Sequence, residues 1–133
     1  MPVEFHGIAP LLQVFEMSTA MAFYIDKLDF VLKGSNCAEP PFDWVLLTRD
    51  GTEVMLNTMY EADAGPDAPD PMRIERHDDM TMFFACRDLN GLFNDLVARG
   101  LTLRAPVIRD YGMTQLWLKD PDGYGLCFQW RSE

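Results

Sequence analysis

The sequence predicts an α+β fold built from two similar modules, each with the order strand, helix and three strands (βαβββ). An amphipathic helix pattern occurs twice, each time directly after an apolar strand. Two strand hairpins also occur, one joined by Arg49-Asp50-Gly51 and the other by Asp120-Pro121-Asp122-Gly123. Pro presets φ and Gly accepts a positive φ, so both sequences are typical of turns. The repeated order indicates an internal duplication, which offers a pocket between its halves.

Module one is expected over about residues 5–60, beginning with a strand at 8–14. Apolar residues then recur from Met17 at i+3, i+4, i+7 and i+11, which is one stripe of an amphipathic helix. Ser18 is the expected N-cap of this helix. The three strand candidates that follow are 30–33, 42–48 and 53–58.

Module two is expected over about residues 80–131 and repeats this order. A strand at 81–86 precedes a helix that Asp88 or Asn90 caps, and Gly100 has the place of a left-handed C-terminal cap. The strand candidates after it are 102–107, 114–119 and 124–130. Residues 61–79 are rich in Asp, Pro, Gly and Ala without an apolar period, which indicates a linker or mobile loop.

Length and charge limit the classes of function. The 133 residues suit a single domain, 1–133, and the net charge of −10 argues against a nucleic-acid partner. The same charge favours cationic over anionic small molecules as ligands. Alternatively, it serves only to keep the protein in solution. We expect no membrane partner, because no apolar run reaches the roughly 20 residues of a membrane span. An odd number of cysteines and no secretion-signal pattern predict a cytoplasmic protein with reduced thiols.

Several motifs occur in a characteristic order: Val14-Phe15-Glu16-Met17-Ser18, Ala22-Phe23-Tyr24, Leu28-Asp29-Phe30, Gly112-Met113 and Asp120-Pro121-Asp122-Gly123. In this order they resemble the vicinal oxygen chelate superfamily, which includes glyoxalase I, extradiol dioxygenases and bleomycin resistance proteins. The last two are most similar to the bleomycin-resistance branch. The resemblance implies that the two βαβββ modules form an open, paired-module eight-stranded barrel around a cleft, the glyoxalase/bleomycin resistance fold. It also implies a homodimer.

In metal-dependent members, His, Glu or Gln on four strands binds the metal, and the resemblance maps these places onto the present sequence. They fall on Ala9, Met55, Thr81 and Cys127. None of these four provides a metal-binding set, so we expect no metal, no other cofactor and no catalytic residue. A shift of two residues in two strands would bring in Glu53 and Gln129, without a histidine. A metal-dependent glyoxalase, lyase or dioxygenase with relocated ligands therefore stays open as the alternative.

Strand alternation assigns a second set of side chains to the cleft. Tryptophan and phenylalanine faces with a few amides and one carboxylate suit a planar aromatic ligand. The candidate ligand-binding residues are Gln13, Trp44, Glu53, Met55, Asn57, Phe83, Gln115, Trp117, Cys127 and Gln129. Alternatively, the aromatic side chains fill the barrel as core.

The expected function is metal-independent binding and sequestration of a small aromatic molecule, similar to bleomycin resistance proteins. Its partner is a small organic molecule, and Glu53 would pair with a positive charge on it. This predicts a non-catalytic binding protein with a role in antibiotic resistance rather than an enzyme. A third hypothesis is an interaction unit that binds no small molecule.

Overall fold

The structure is a computed structural model that describes residues 2–60 and 64–133. Met1 and residues 61–63, the first part of the expected linker, lie outside the described residues. The chain divides into two compact units, with the boundary between Pro66 and Asp67. Each unit contains helices and a four-stranded mixed sheet, so the expected α+β class with two βαβββ modules is confirmed. In the described part of the chain, no helix is long and apolar enough to cross a membrane.

Module one contains four strands and one helix. Its elements are β1 (Leu11–Val14), α1 (Met17–Met21), a π-helical continuation (Ala22–Lys27), β2 (Val31–Ser35), β3 (Trp44–Arg49) and β4 (Thr52–Thr58). The strand order is β1-β4-β3-β2, with β1 parallel to β4 and the other pairs antiparallel. The hairpin between β3 and β4 turns at Asp50 and Gly51, which both have positive φ, as the Asp-Gly sequence predicts.

The core of module one lies on one face of this sheet. Leu12, Val45 and Leu56 form one row across three strands and are all fully buried. The helix differs from the expected stripe, because its second half widens to a π-helix. Phe23 is therefore buried, whereas Met21 is only half-buried. The expectation that Ser18 caps α1 was wrong: Glu16 is the N-cap residue.

Module two repeats the arrangement after two helical turns. Its elements are α2 (Pro71–Arg76), a 3₁₀ turn (His77–Asp79), β5 (Thr81–Ala85), α3 (Leu89–Ala98), β6 (Val107–Ile108), β7 (Met113–Lys119) and β8 (Gly125–Arg131). The strand order β5-β8-β7-β6 matches that of module one, again with the first strand parallel to the last. The Asp88 side chain accepts from the Gly91 backbone N–H, and Gly100 has a φ of 93°, so both expected caps of α3 are present.

Two elements of module two differ from the sequence-based expectations. The strand expected at 102–107 is reduced to Val107–Ile108, because Pro106 has no N–H to donate to a sheet. Within the expected linker, α2 forms with Asp70 as N-cap and Pro71 in its first turn. An Asp-Pro pair is a signal for the start of a helix. The helix was not predicted because the segment has no apolar periodicity.

Candidate functional site

In each module, the sheet face opposite the buried core contains the candidate binding residues. We call this face the site face. In module one it holds Gln13, Trp44, Glu53, Met55 and Asn57, and in module two it holds Phe83, Gln115, Trp117, Cys127 and Gln129. Alternation along the strands produces this division, since Leu12, Leu47 and Val54 are buried on the other face of module one. The structure therefore brings five predicted residues together in each module.

The site face of module one contains a polar row and an ion pair. Gln13, Asn57 and Trp44 lie in register on adjacent strands, and Asn57 Nδ2 donates to Gln13 Oε1 at 3.2 Å. Lys33 Nζ donates to Glu53 Oε2 at 2.7 Å, with 31% of the Glu53 side chain exposed. A cation on a ligand would therefore compete with Lys33 for Glu53.

The site face of module two contains an aromatic pair. Phe83, Cys127 and Trp117 lie in register on β5, β8 and β7. The backbones of Phe83 and Trp117, on the strands either side of β8, are two strand spacings, or about 10 Å, apart. The ring centroids of Phe83 and Trp117 are only 5.7 Å apart with an interplanar angle of 82°, so the rings lean together over Cys127. Phe83 is still 55% exposed and Trp117 40% exposed, whereas Cys127 is fully buried.

Gln115 organises the polar part of the same face. Its side chain is only 3% exposed, and its Nε2 donates to Gln129 Oε1 at 2.9 Å. Its Oε1 accepts from Arg109 Nε at 3.1 Å, Trp117 Nε1 at 3.0 Å and the Tyr111 hydroxyl at 3.2 Å. An amide oxygen has two lone pairs, so three donors share two acceptor positions. A ligand that accepts from one of them would relieve this competition.

Arg109 was not among the predicted site residues. It follows the very short β6, and its backbone N–H donates to the Met113 carbonyl at 2.7 Å, which places Arg109 opposite Met113 at the edge of the site face. Val107 and Arg109 are two residues apart, so strand alternation would have placed both side chains on the site face. The strand expected at 102–107 ended before Arg109, so this signal was missed. Arg131 lies opposite Met113 on β8, and its guanidinium is 6.0 Å from the centroid of the Trp130 ring.

Burial controls the chemistry of Cys127. Removal from water raises the pKa of the Cys127 thiol to about 11, and the positive charge of Arg109 opposes part of that rise. The thiol is therefore neutral at pH 7, and a neutral thiol is a poor nucleophile. Cys127 packs beneath the aromatic pair rather than acting as a reactive group.

The four places that would bind a metal do not fit a divalent ion. Ala9 precedes β1, and Met55, Thr81 and Cys127 supply no carboxylate or imidazole. Glu53 is held by Lys33, and Gln129 Oε1 accepts from Gln115. Among residues 2–60 and 64–133, no three His, Cys, Asp or Glu side chains form a group that could hold a metal ion.

Both histidines lie away from the site faces. His6 is exposed ahead of β1. The His77 ring stacks on Tyr124, with centroids 4.1 Å apart and an interplanar angle of 9°. One of its nitrogens, Nδ1, lies 2.7 Å from the Asp122 carbonyl oxygen. His77 therefore connects the 3₁₀ turn to the β7–β8 hairpin.

A protein-family model described as the Glyoxalase/Bleomycin resistance protein/Dioxygenase superfamily matches residues 6–128. The chain belongs to this superfamily. The resemblance seen in the motifs is thereby confirmed. Comparison with the curated proteins gave no match.

Several solved structures share the fold. A bleomycin-binding protein complexed with bleomycin is 18% identical over 97% of this chain and 100% of its own, with a TM-score of 0.72. TioX from Micromonospora sp. ML1 is 16% identical over 96% of this chain and 99% of its own, with a TM-score of 0.74. A superfamily member from Sphaerobacter thermophilus DSM 20745 is 22% identical over 95% of this chain and 97% of its own, with a TM-score of 0.65.

Proposed function

We propose that this superfamily member binds and sequesters a small aromatic molecule, without a metal and without chemical conversion of the ligand. The observation that carries this proposal is the exposed Phe83–Trp117 pair, whose indole N–H donates to the neighbouring buried Gln115 amide. Trp117 is anchored through its indole N–H and yet remains 40% exposed. A fixed aromatic face that stays accessible is suited to contact with a planar ligand.

The chemistry of the donors supports binding rather than catalysis. The Cys127 thiol is held neutral by burial, and the four places for metal ligands contain no imidazole or carboxylate. The amides Gln13, Asn57 and Gln129 provide donors and acceptors that fix the orientation of a ligand without transferring protons, and the buried Gln115 amide holds Arg109 and Trp117 in place. The alternative, a metal-dependent lyase or dioxygenase, would have to use Glu53 and Gln129, which already have protein partners.

The bleomycin-binding structure suggests a first ligand to test. Its bound molecule is bleomycin, and a sequestering role of that kind would make this chain an antibiotic-resistance protein. We propose such a role for a homodimer in the cytoplasm. The cationic preference that we expected from net charge loses support, because Lys33 already neutralises Glu53.

Tryptophan fluorescence tests the proposal directly. The protein is titrated with metal-free bleomycin and with uncharged naphthalene derivatives, after its metal content has been measured. Saturable quenching at about one ligand per site, in protein without bound metal, is the expected result. Stoichiometric Zn, Ni, Mn or Fe, together with binding that a chelator abolishes, would instead favour the metal-dependent enzyme.

Replacing the exposed Trp117 or the half-buried Trp44 should weaken ligand binding. Trp117→Ala and Trp44→Ala should each cost about 1–3 kcal/mol of binding free energy, because each removes an aromatic contact surface. Isothermal titration calorimetry is the measurement, since the substitution itself alters fluorescence. Ile108→Ala is the matched control, because Ile108 is 75% exposed in the same module as Trp117 and pairs with Thr114 on the opposite sheet face. Unchanged affinity in both tryptophan variants would remove these site faces from the proposal.

A further inference from the structure

We infer that the site face of module two selects an aromatic carboxylate, with Arg109 binding the carboxylate and Phe83 and Trp117 contacting the ring. This inference rests on the proposed aromatic-binding function and adds the charge of the ligand. It reverses the preference that the net charge of −10 alone would predict.

The local charge of this face is opposite to that of the whole chain. Arg109 and Arg131 flank Met113 in the same row, and no Asp or Glu occupies the site-face positions of β5, β7 and β8. The remaining cation on this face, Lys119, is paired with Asp78 at 2.7 Å. In residues 2–60 and 64–133, no carboxylate forms an ion pair with either arginine. Arg109 shares Gln115 Oε1 with Trp117 of the aromatic pair, and Arg131, near the Trp130 ring, adds a second positive charge on β8. These two positive charges favour an anionic ligand.

Among the residues that the structure describes, the Arg109 side chain bonds through Nε, which leaves its two terminal nitrogens for a ligand. A guanidinium has five N–H donors in a fixed planar fork, and Arg109 uses the Nε donor for Gln115 Oε1. That bond orients the plane of the group, because Gln115 is itself buried and held by Gln129. The two terminal nitrogens then present parallel donors, which is the geometry that a carboxylate accepts in a bidentate pair.

The excess of donors at Gln115 supplies a second contact. Tyr111, Trp117 and Arg109 compete for one amide oxygen. Tyr111 is 64% exposed, and its hydroxyl makes the longest of the three bonds. A ligand carboxylate beside Arg109 can accept a hydrogen bond from the Tyr111 hydroxyl, and Gln115 Oε1 then keeps Trp117 and Arg109 as its two donors. Binding of the anion therefore leaves every polar group of the network paired.

Space for the aromatic ring lies next to this network. A depression of about 310 Å³ is lined by Phe83, Met113, Gln129 and Arg131, among others. It shares Phe83 with the aromatic pair and Gln129 with the amide network. Its size is within the usual range of small-molecule sites.

Three naphthalene probes of matched size test the inference by calorimetry near pH 7.5: 2-naphthoate, 2-naphthamide and 2-naphthylmethylammonium. We expect 2-naphthoate to bind about 10- to 100-fold more tightly than 2-naphthamide, because charge-assisted hydrogen bonds exceed neutral ones by roughly this factor. The ammonium probe should bind most weakly. Arg109→Gln should reduce the ratio of naphthoate to naphthamide affinity to near one.

Arg104→Gln is the control. Arg104 is exposed and lies outside the strands, and its substitution changes the net charge by the same amount as Arg109→Gln does. It should preserve the ratio. A merely structural effect of Arg109→Gln would weaken both probes alike and leave the ratio unchanged, which would overturn the assignment of the carboxylate to Arg109. Equal binding of the acid and the amide to the unmodified protein would refute the charge preference while the aromatic-binding function stands. Failure of all three probes to bind, together with no quenching by bleomycin, would refute both.

Discussion

The environment of one residue, Cys127, shows how the site face is held together. Phe83 and Trp117 close over its side chain, and Arg109 is near enough for its charge to act on the thiol. Desolvation outweighs that charge, so the folded state holds the thiol proton more tightly than the unfolded chain does. Protein stability must then depend on pH in the alkaline range.

Stability should fall between about pH 9 and pH 11, the ordinary and the raised pKa of Cys127. Above pH 9 the thiol of the unfolded chain loses its proton before the thiol of the folded protein does, which favours unfolding. The stability that the protonated Cys127 thiol contributes is therefore fully present below pH 9 and is lost as the pH rises through 11. Its size is about 2–3 kcal/mol at most. Urea unfolding across this pH range measures it. Cys127→Ala should show a shallower decline than the unmodified protein, whereas Cys37→Ala, at an exposed cysteine, should not.

Residue types that alternate along a strand were predictable, and residues placed by irregular structure were not. The ten candidate residues follow from period-2 alternation, which the burial pattern of β3 and β4 reproduces. Arg109 and Tyr111 reach Gln115 from the segment between β6 and β7, where no periodicity exists. The partner of Glu53 is Lys33 on a strand with a register shift after Leu32, which sequence spacing does not reveal.

At the scale of elements, α2 packs against the β7–β8 turn. Gly123 in that turn has a φ of 89°, and a Cβ atom there would overlap the Ile74 carbonyl oxygen of α2. Asp120 Oδ1 accepts from the backbone N–H groups of Asp122 and Tyr124 at 2.9 and 3.0 Å, which fixes the turn. Glycine is therefore required at position 123 for two reasons: the backbone is left-handed, and helix α2 approaches closely.

Gly123→Ala should therefore destabilise the protein more than Gly51→Ala does. Gly51 has a φ of 81° but nothing within 4 Å of a Cβ, so alanine there costs only backbone strain, about 1–2 kcal/mol. At Gly123 the overlap with Ile74 adds roughly 1–3 kcal/mol. Chemical denaturation of both variants gives the difference. An equal loss of unfolding free energy in the two variants would mean that α2 moves away from the turn at little cost and contributes little to the stability of module two.

Elements with strong local signals were predictable, whereas those decided by competing signals were not. Asp88 and Gly100 mark the ends of α3 because a cap and a left-handed residue are local requirements. The π-helical turn of Ala22–Lys27 has no such signature, because the same apolar residues suit a regular α-helix. β6 is short because Pro106 outweighs the strand tendency of its neighbours.

At the scale of the whole molecule, duplication was predictable because both halves repeat the same order of elements. The matching strand orders β1-β4-β3-β2 and β5-β8-β7-β6 confirm that order. Surface chemistry has diverged between the copies. Lys33 and Glu53 compensate each other in module one, whereas in module two no carboxylate of the described residues pairs with Arg109 or Arg131. A net charge summed over the chain hides this difference.

The proposed homodimer has its own test in the segment before β1. Val3, Phe5 and Ile8 are 89%, 95% and 90% exposed, and exposed apolar side chains grouped in one segment are typical of association surfaces. Sedimentation velocity should give a species of twice the 15.2 kDa chain mass, favoured by added salt because salt screens the repulsion between acidic copies. Phe5→Ser with Ile8→Ser should shift the equilibrium toward monomer, and His6→Ser, which removes no apolar side chain from the same segment, should not. A monomer at every protein concentration would contradict the dimer, and a dimer that the double substitution leaves intact would place its contact elsewhere on the chain.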